Sequence, residues 1–448
     1  MKNLTVGKPL KLILTFALPL FVGQLFQLFY NLADTRIVGA TLGEEALAAV
    51  GATSTLSDLL VGLLNGITNG FAIVIATRFG ADDEKGMKKA IGGTVILGIS
   101  AALLISFCSL VFLNPILNFL NISSDLFAQS KAYISIILAG LIAATCYNIC
   151  AAILRAIGDS FTPLIFLIIS SVLNIILDYT FILLFSMGVG GAALATVISQ
   201  AISAILCFIY MRRKYPQLTL SRQDIGPEKE TYTKLLSTGL SMGFMISFVY
   251  MGTFALQTSI NTFHNNIIVA HMAARKATSI FMLPWSVLGT TLATFCGQNL
   301  GAGKYSRIKQ GMRDTLLLTW GWCVLVIIMA FTIAPFIIRS ITASSEPEII
   351  DTACLYLRFN TSFYFVPAVI CLFRNAMQGF GDSKTPVFSS SLELLAKVVA
   401  ALLFAPALGY WGIIIAEPIA WIIMVIPLIV NTVRNPIFKQ EKNHRLES

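Results

Sequence analysis

The chain has 448 residues, of which 56% are hydrophobic and only 12% charged, and its mean hydropathy is +0.80. Average soluble domains run at about 45–50% apolar and about 25% charged residues, so a chain this long with so few charges cannot solvate its own surface. An ordinary soluble enzyme, a disordered chain and a nucleic-acid binder are excluded, and the formal net charge of +9 reads as the loop topology of a membrane protein.

A bilayer core of about 30 Å takes about 20 apolar residues per helix. In chain order that ruler predicts twelve spans, near 10–38, 47–78, 90–113, 129–154, 162–185, 189–211, 234–262, 265–297, 312–336, 351–377, 386–405 and 410–433. The runs are continuous and show no alternation of period two, which excludes a β-barrel. Pro19, Pro284, Pro367, Pro418 and Pro427 fall inside spans, where neighbouring helices can satisfy the freed carbonyls and kinks are tolerated. The first run is too long for the apolar core of a signal peptide, so no cleaved leader is expected. Cys108, Cys146, Cys150, Cys207, Cys296, Cys323, Cys354 and Cys371 all lie in apolar runs without metal-like spacing and read as small buried hydrophobes.

Twelve spans place both termini on one side. With the N-terminus inside, 24 of the 31 Lys and Arg residues fall on inside segments, Arg155 and Arg374 among them; the other seven are Arg36, Lys131, Arg275, Lys276, Arg339, Arg358 and Lys397. This asymmetry predicts a multi-pass protein of the cell (plasma) membrane with both termini cytoplasmic.

The chain also repeats itself. Gly158-Asp159-Ser160-Phe161-Thr162-Pro163 matches Gly381-Asp382-Ser383-Lys384-Thr385-Pro386 at an offset of 223, and Gly80-Ala81 matches Gly301-Ala302, and Gly188/Gly191 match Gly409/Gly412, at 221. Twice that offset is almost the whole chain. The predicted fold is therefore an all-α membrane protein of twelve transmembrane helices in two pseudo-symmetric six-helix lobes, with an N-lobe at 1–211, a cytoplasmic linker at 212–233, and a C-lobe with a short cytoplasmic tail at 234–448. Duplicated bundles of this kind suit alternating access. No metalloprotease, nucleophile-elbow or phosphate-loop motif is present and there are only three His, so neither an enzyme nor an ATP-driven pump is expected, and no cofactor is implied.

Ionisable groups cost about 2.5–3.5 kcal/mol each at the centre of a membrane helix even on lenient scales, so each needs a reason. Gln24, Gln27, Asn31 and Asp34 stand at spacings of three and four on the first helix, and Asn174 and Asp178 share a face of the fifth. Both acids lie in the outward halves of their helices, and Thr196 is eight residues into the sixth. Two carboxylates, an amide and a hydroxyl at one depth could hold sodium with hard oxygen ligands, or share a proton. The plainer readings are that Asp34 pairs with Arg36, Asp178 braces a helix contact, Asn174 joins helices, and Thr196 bonds its own backbone. Gln24, Gln27, Asn31 and, on the fourth helix, Asn148 are candidates for the substrate path. In the second half, Glu393 and Lys397 are spaced for a buried ion pair or a relay, Glu417 has no obvious local partner, and His271 reads as structural, with proton transfer as the functional alternative. Arg275 and Lys276 could serve those acids or lipid headgroups, and Asp58 could sit at the outer interface. Asp159 and Asp382 read as helix caps.

Several stretches resemble the multidrug and toxic compound extrusion (MATE) family: Pro19 to Thr35 running into Val38-Gly39 and Leu42 to Gly51; Leu154 to Asp159 with Thr162-Pro163; Leu173 to Asp178; Gly297 to Lys304; and Gln378 to Asp382. The resemblance implies a two-lobe antiporter that exports amphipathic, often cationic drugs or toxins against an inward flow of protons or sodium. It also implies that Asp34, Asp178, Asn174 and Thr196 form the cation site. The seventh and tenth helices hold no acid at membrane depth, which favours coupling through the N-lobe. Membrane lipids are the surroundings, no nucleic-acid partner is implied, and a monomer is expected. A flippase for a lipid-linked saccharide or other lipid of the same superfamily is the alternative, although its long basic lobes are not evident; a major-facilitator carrier is disfavoured because Gly80–Lys89 does not match that family's loop.

Overall fold

The computed structural model describes residues 3–120, 122–221, 224, 226, 228–342 and 345–438. Lys2, Arg222, Lys439, Lys442 and Arg445, counted above for topology, and most of the predicted tail lie outside the described residues. Among the described residues there is no strand. The α-helices are α1 Pro9–Leu42, α2 Glu44–Gly80, α3 Glu84–Val111, α4 Leu113–Phe119, α5 Ser124–Ala139, α6 Leu141–Ala156, α7 Phe161–Tyr179, α8 Gly188–Lys214, α9 Lys229–Ile260, α10 Asn265–Gly301, α11 Tyr305–Thr332, α12 Ala334–Thr342, α13 Pro347–Thr361, α14 Phe365–Gly379, α15 Lys384–Val399, α16 Ala405–Leu408 and α17 Tyr410–Arg434. Among the described residues, ten segments are long and apolar enough to cross a membrane singly. Two further spans are bent pairs, α5 with α6 at 41° and α13 with α14 at 59°. The twelve coincide in order with the twelve predicted runs, and the first break falls at Gly140, a residue type that accommodates kinks.

By contacts the chain forms two compact units. Unit 1 holds Met1–Asn3 and Thr15–Gly243; unit 2 holds Leu4–Leu14 and Phe244–Ser448. Unit 1 thus extends past the 212–233 linker to Gly243. Unit 2 includes the start of the chain, where Leu4 N–H donates to Gln298 Oε1 (2.9 Å), Lys304 Nζ donates to Thr5 O (3.0 Å), and Arg307 donates to the carbonyls of Leu4 and Gly7 (3.2 and 2.8 Å).

Within each unit the solvent is lipid outside and protein inside, so a helix facing both is turned inside out relative to a soluble one. On α7, Ile165, Ile169, Val172 (53% exposed) and Ile176 face outward while Ser171, Asn174 and Asp178 (0%) face inward. On α15, Phe388 and Leu395 are exposed while Ser389, Ser390, Glu393 and Lys397 are buried. Both helices then loosen into a π-helical turn, Thr180–Leu184 in the first repeat and Ala400–Phe404 in the second. In unit 1, α2 meets the start of α9 backbone to backbone: a Cβ on Gly66 or Gly70 would come within 2.7 Å of Met242 O or 2.5 Å of Thr238 O.

The repeated hexapeptide folds the same way twice. Gly158 and Gly381 take φ of +85° and +95°, values that a residue with a Cβ rarely adopts. Each Asp then caps the following helix: Asp159 accepts from Thr162 N–H (3.0 Å) and Thr162 Oγ1 (2.7 Å), and Asp382 accepts from Thr385 N–H (3.0 Å) and Thr385 Oγ1 (2.7 Å). The capping expectation is met in both copies.

Candidate functional site

Unit 1 brings the predicted quartet together. Asp34 on α1 is half-buried, and its carboxyl lies against that of Asp178 on α7 within hydrogen-bonding reach. A carboxylate carries no donor, so this pair is held only with a proton on one acid or a cation on both. Each acid has one buried oxygen, Oδ1, without a hydrogen-bond partner. With its amide turned to satisfy both neighbours, Asn174 donates through Nδ2 to Asp178 Oδ2 (2.9 Å) and accepts at its carbonyl oxygen from Thr196 (3.1 Å from N, 3.2 Å from Oγ1). Thr196 Oγ1 also lies 3.2 Å from Ala192 O, the backbone bond of its plainer reading. The hydroxyl has one hydrogen to divide between helix and site, and the Thr196 N–H reaches the Asn174 oxygen as well.

Two tyrosines join the quartet that sequence reasoning did not name. Tyr30 Oη is 3.5 Å from Thr196 Oγ1 and stands one turn before Asp34 on α1. Tyr133 on α5 is within electrostatic reach of Asp34, Asp178, Tyr30 and Asp58. The signal for Tyr30 was present, since i and i+4 share a helix face; Tyr133 carried none.

The remaining candidates on the proposed path are not drawn in. Gln27 and Asn31 are exposed and Gln24 is half-buried. At about 100° per residue, Asn31 is turned some 60° from Asp34, whereas Tyr30 is turned only about 40° to its other side. The stripe is thus wider than the site. Asn148 is half-buried on α6, and among the described residues no hydrogen bond ties it to the quartet. Arg36 and Asp58 are exposed, and no ion pair between Asp34 and Arg36 occurs among the described residues.

Unit 2 buries charge differently. Glu393 and Lys397 form the predicted ion pair (2.8 Å), and Arg374 on α14 joins it (3.2 Å to Glu393 Oε2), with Ser389 Oγ at 3.3 Å. This corrects the topology count. Arg374, counted with the inside segments, is a buried residue of α14, where hydropathy alone cannot separate a buried cation from a loop cation. Arg155, in the last turn of α6, keeps its place at the end of the fourth span, and its Nη2 donates to Asn69 Oδ1 on α2 (2.9 Å). Removing Arg374 leaves 23 of 30 basic residues on inside segments.

Glu417 has partners after all. Arg275 Nη1 lies 2.6 Å from its Oε1, and Tyr356 Oη donates to its Oε2 (2.8 Å). The choice left open for Arg275 and Lys276 divides: Arg275 serves Glu417, and Lys276 is exposed. His271 is buried, with Nδ1 3.2 Å from Tyr410 Oη and its ring edge-on to Tyr356.

The comparisons follow this architecture. The MatE family profile matches residues 19–180 and matches again at 238–403, once per repeat. The chain is 26% identical over 363 residues to the probable multidrug resistance protein YpnP of Bacillus subtilis (strain 168), covering 81% of this chain and 80% of that one. It is 25% identical over 445 residues to the probable multidrug resistance protein NorM of Thermotoga maritima, covering 96% and 91%. A crystal structure of a MATE protein in its bent conformation superposes with a TM-score of 0.89 at 23% identity, over 98% of this chain and 97% of that one. Two matched repeats, twelve spans and a shared fold lead to one conclusion: the chain belongs to the MatE family of multi-span membrane transporters.

Proposed function

We propose that the chain is a secondary antiporter that exports amphipathic, often cationic small molecules in exchange for protons or sodium, with the Asp34–Asp178 site as the coupling element. The observation that carries this reading is the apposition of two carboxyls from different helices, each with a buried oxygen left unpartnered. The names of the relatives, multidrug resistance proteins, support the substrate class. The excess of basic residues on one set of loops supports a plasma-membrane protein with both termini in the cytoplasm.

Ionised, the pair carries two negative charges in a medium where isolated charge is costly. It therefore attracts either a cationic drug or a coupling ion, and not both. A proton is held between the two carboxyls; sodium is held by the carboxylates with the oxygens of Thr196 and Tyr30. Neutralisation removes the attraction for the drug on the outward side, and alternating access returns the ion inward. Each charge moved down the membrane potential is worth about 2.3 kcal/mol per 100 mV, which sustains about a fiftyfold gradient.

The test is ethidium efflux from cells or vesicles carrying Asp34→Asn. Loss of efflux is expected; wild-type efflux by that variant overturns the reading. Collapse of wild-type efflux by a protonophore assigns the proton, and an absolute sodium requirement assigns sodium.

A further inference from the structure

Residues 4–7 lie ahead of α1 and form a strap over the turn between α10 and α11 in unit 2. Gln298 Oε1 accepts from Leu4 N–H (2.9 Å), and Asn299 Nδ2 donates to Leu4 O (3.3 Å). Lys304 Nζ donates to Thr5 O (3.0 Å), and Arg307 donates to Leu4 O and Gly7 O (3.2 and 2.8 Å). Asn299 Oδ1 steadies Arg307 by accepting from its Nε (2.9 Å). Under these bonds Leu4 is 1% and Thr5 4% exposed, while Val6 stands out at 65%. Gly7, at φ +103°, then turns the chain into α1. Chain ends fray unless something ties them down; here two buried amides and two cations are spent on main-chain groups alone.

The other repeat uses the same place. At the offset of 221, Asn299 corresponds to Arg78 and Gly7 to Glu228. There the turn between α2 and α3 catches the lead-in to α9 with the pairs Arg78–Glu230 (3.9 Å) and Lys89–Glu228 (2.8 Å). Each of those pairs has an exposed partner, and exposed ion pairs contribute little. The strap in unit 2 is held instead through its backbone, by charged donors whose bonds are about twice as strong as neutral ones.

The strap decides where α1 is rooted. Residues 4–14 belong to unit 2, and the rest of α1, with Tyr30 and Asp34, belongs to unit 1. A helix passes a displacement along its length only if neither end floats. The far end of α1 is held by Asp34 against Asp178 and by Tyr30 at Thr196; the near end is held by the strap. We propose that residues 4–7 are a permanent anchor, with Gln298, Asn299, Lys304 and Arg307 as its receptor, and that this anchor lets a change at Asp34 act on unit 2 through α1. The anchor stands on the contacts alone; its part in transport rests on the antiporter reading above.

The experiment labels the full chain in a neutral detergent with a maleimide and reads the N-terminal peptide by mass spectrometry, which keeps the native thiols out of the measurement. Because the receptor reads the main chain, Thr5→Cys keeps the bonds to it. Thr5→Cys is expected to react at least about tenfold more slowly than Val6→Cys, the scale of one bond from a charged donor; equal rates overturn the anchor. Adding Lys304→Ala/Arg307→Ala is expected to raise the Thr5→Cys rate by at least about tenfold on the same scale, and an unchanged rate also overturns it. In reconstituted vesicles that double variant is expected to move ethidium at least about threefold more slowly, with the half-saturating ethidium concentration unchanged; wild-type turnover overturns the part in transport. Re-closing the strap with a bifunctional maleimide between Thr5→Cys and Lys304→Cys, on an Arg307→Ala background, is expected to restore the rate, which a folding defect would not allow. A verified cross-link that restores nothing overturns the same part. If the wild-type chain moves no ethidium, the antiporter reading falls and the anchor's part in transport falls with it, while the thiol rates still decide the anchor.

Discussion

The buried cluster on α14 and α15 makes a sharp test of how unit 2 is held together. In Glu393→Gln the only described carboxylate between Arg374 and Lys397 is lost, and both cations stay where they are, with side chains 9% and 5% exposed. Removing one partner of a buried ion pair costs about 3–5 kcal/mol because the other charge is left uncompensated. Here two cations are stranded, but they share one anion, so the losses do not add, and Ser389 Oγ remains beside Arg374 at 3.3 Å. About 3–5 kcal/mol is therefore the working figure. At about 2–4 °C per kcal/mol for a unit of some 200 residues, the melting point falls by roughly 6–20 °C. The protein supplies its own reporter, because Cys150, Cys207, Cys296, Cys323 and Cys354 are buried free thiols that a thiol-activated fluorophore reaches only on unfolding. Unfolding of such a protein in detergent is a rate process, so variants are compared at one heating rate. A Glu393→Gln variant melting within 1–2 °C of wild type, a shift worth less than about 1 kcal/mol, refutes the argument. The complementary variant Arg374→Met/Glu393→Leu/Lys397→Met removes all three charges and is expected to melt at or above wild type.

The two helix caps are expected to differ in weight. Asp382→Ala loses a cap worth about 1 kcal/mol, whereas Asp159→Ala also loses the hydrogen bond from Tyr215 Oη (2.6 Å) and the charge of Lys214 at 3.6 Å, so it melts lower in the same assay; equal shifts count against the extra contacts. Burial alone would push the Asp159 carboxyl up, but the bonds from Tyr215 and from Thr162 N–H and Oγ1, with the Lys214 charge, outweigh it and hold the group below the usual carboxylate range. A carboxyl lowered by folding stabilises above its unfolded pKa of about 3.9 and loses that contribution as the pH falls through its folded value. The gap between the melting points of wild type and Asp159→Asn is therefore expected to narrow as the pH falls below about 4, and a gap that stays constant or widens on acidification argues otherwise. Gly70→Val forces a Cβ to 2.5 Å from Thr238 O and is expected to cost about 1–3 kcal/mol or more, while Gly51→Val, which meets nothing within 4 Å, leaves the melting point unchanged.

Reading the chain in one dimension recovered what depends on one dimension. Span count and order follow from run length, and the duplication follows from the repeated hexapeptide. The quartet Asp34, Asn174, Asp178 and Thr196 was legible because uncompensated acids in apolar helices are rare enough to point at one another. The partners of the second unit were not. Arg275 and Glu417 are 142 residues apart, Tyr356 and Glu417 are 61 apart, and Arg374 and Glu393 are 19 apart across a loop; no local spacing rule links such pairs. Nor could hydropathy tell that Arg374, five residues from the end of α14, points into protein. The stripe on α1 was read too broadly for a related reason: spacings of three and four define an arc, and only the packing of α5, α7 and α8 decides that its Tyr30–Asp34 edge is the one that meets the site.

Comparing the repeats separates what the fold needs from what it carries. Where the backbone is constrained, the halves agree: a glycine at positive φ, an aspartate cap on the following helix, and a π-helical turn at its end. Where side chains meet inside, they diverge. Asp178 stands two residues before its π-helical turn and Lys397 three before its own, and Thr196 in one frame is Glu417 in the other. If buried ion pairs were a requirement of the scaffold, unit 1 would need the counterparts of Arg275 and Lys397 beside its acids, and it builds the same six-helix frame without them. Ion pairs in low dielectric also rarely stabilise more than apolar side chains of the same size. Stability therefore does not account for the three cations and two acids of unit 2.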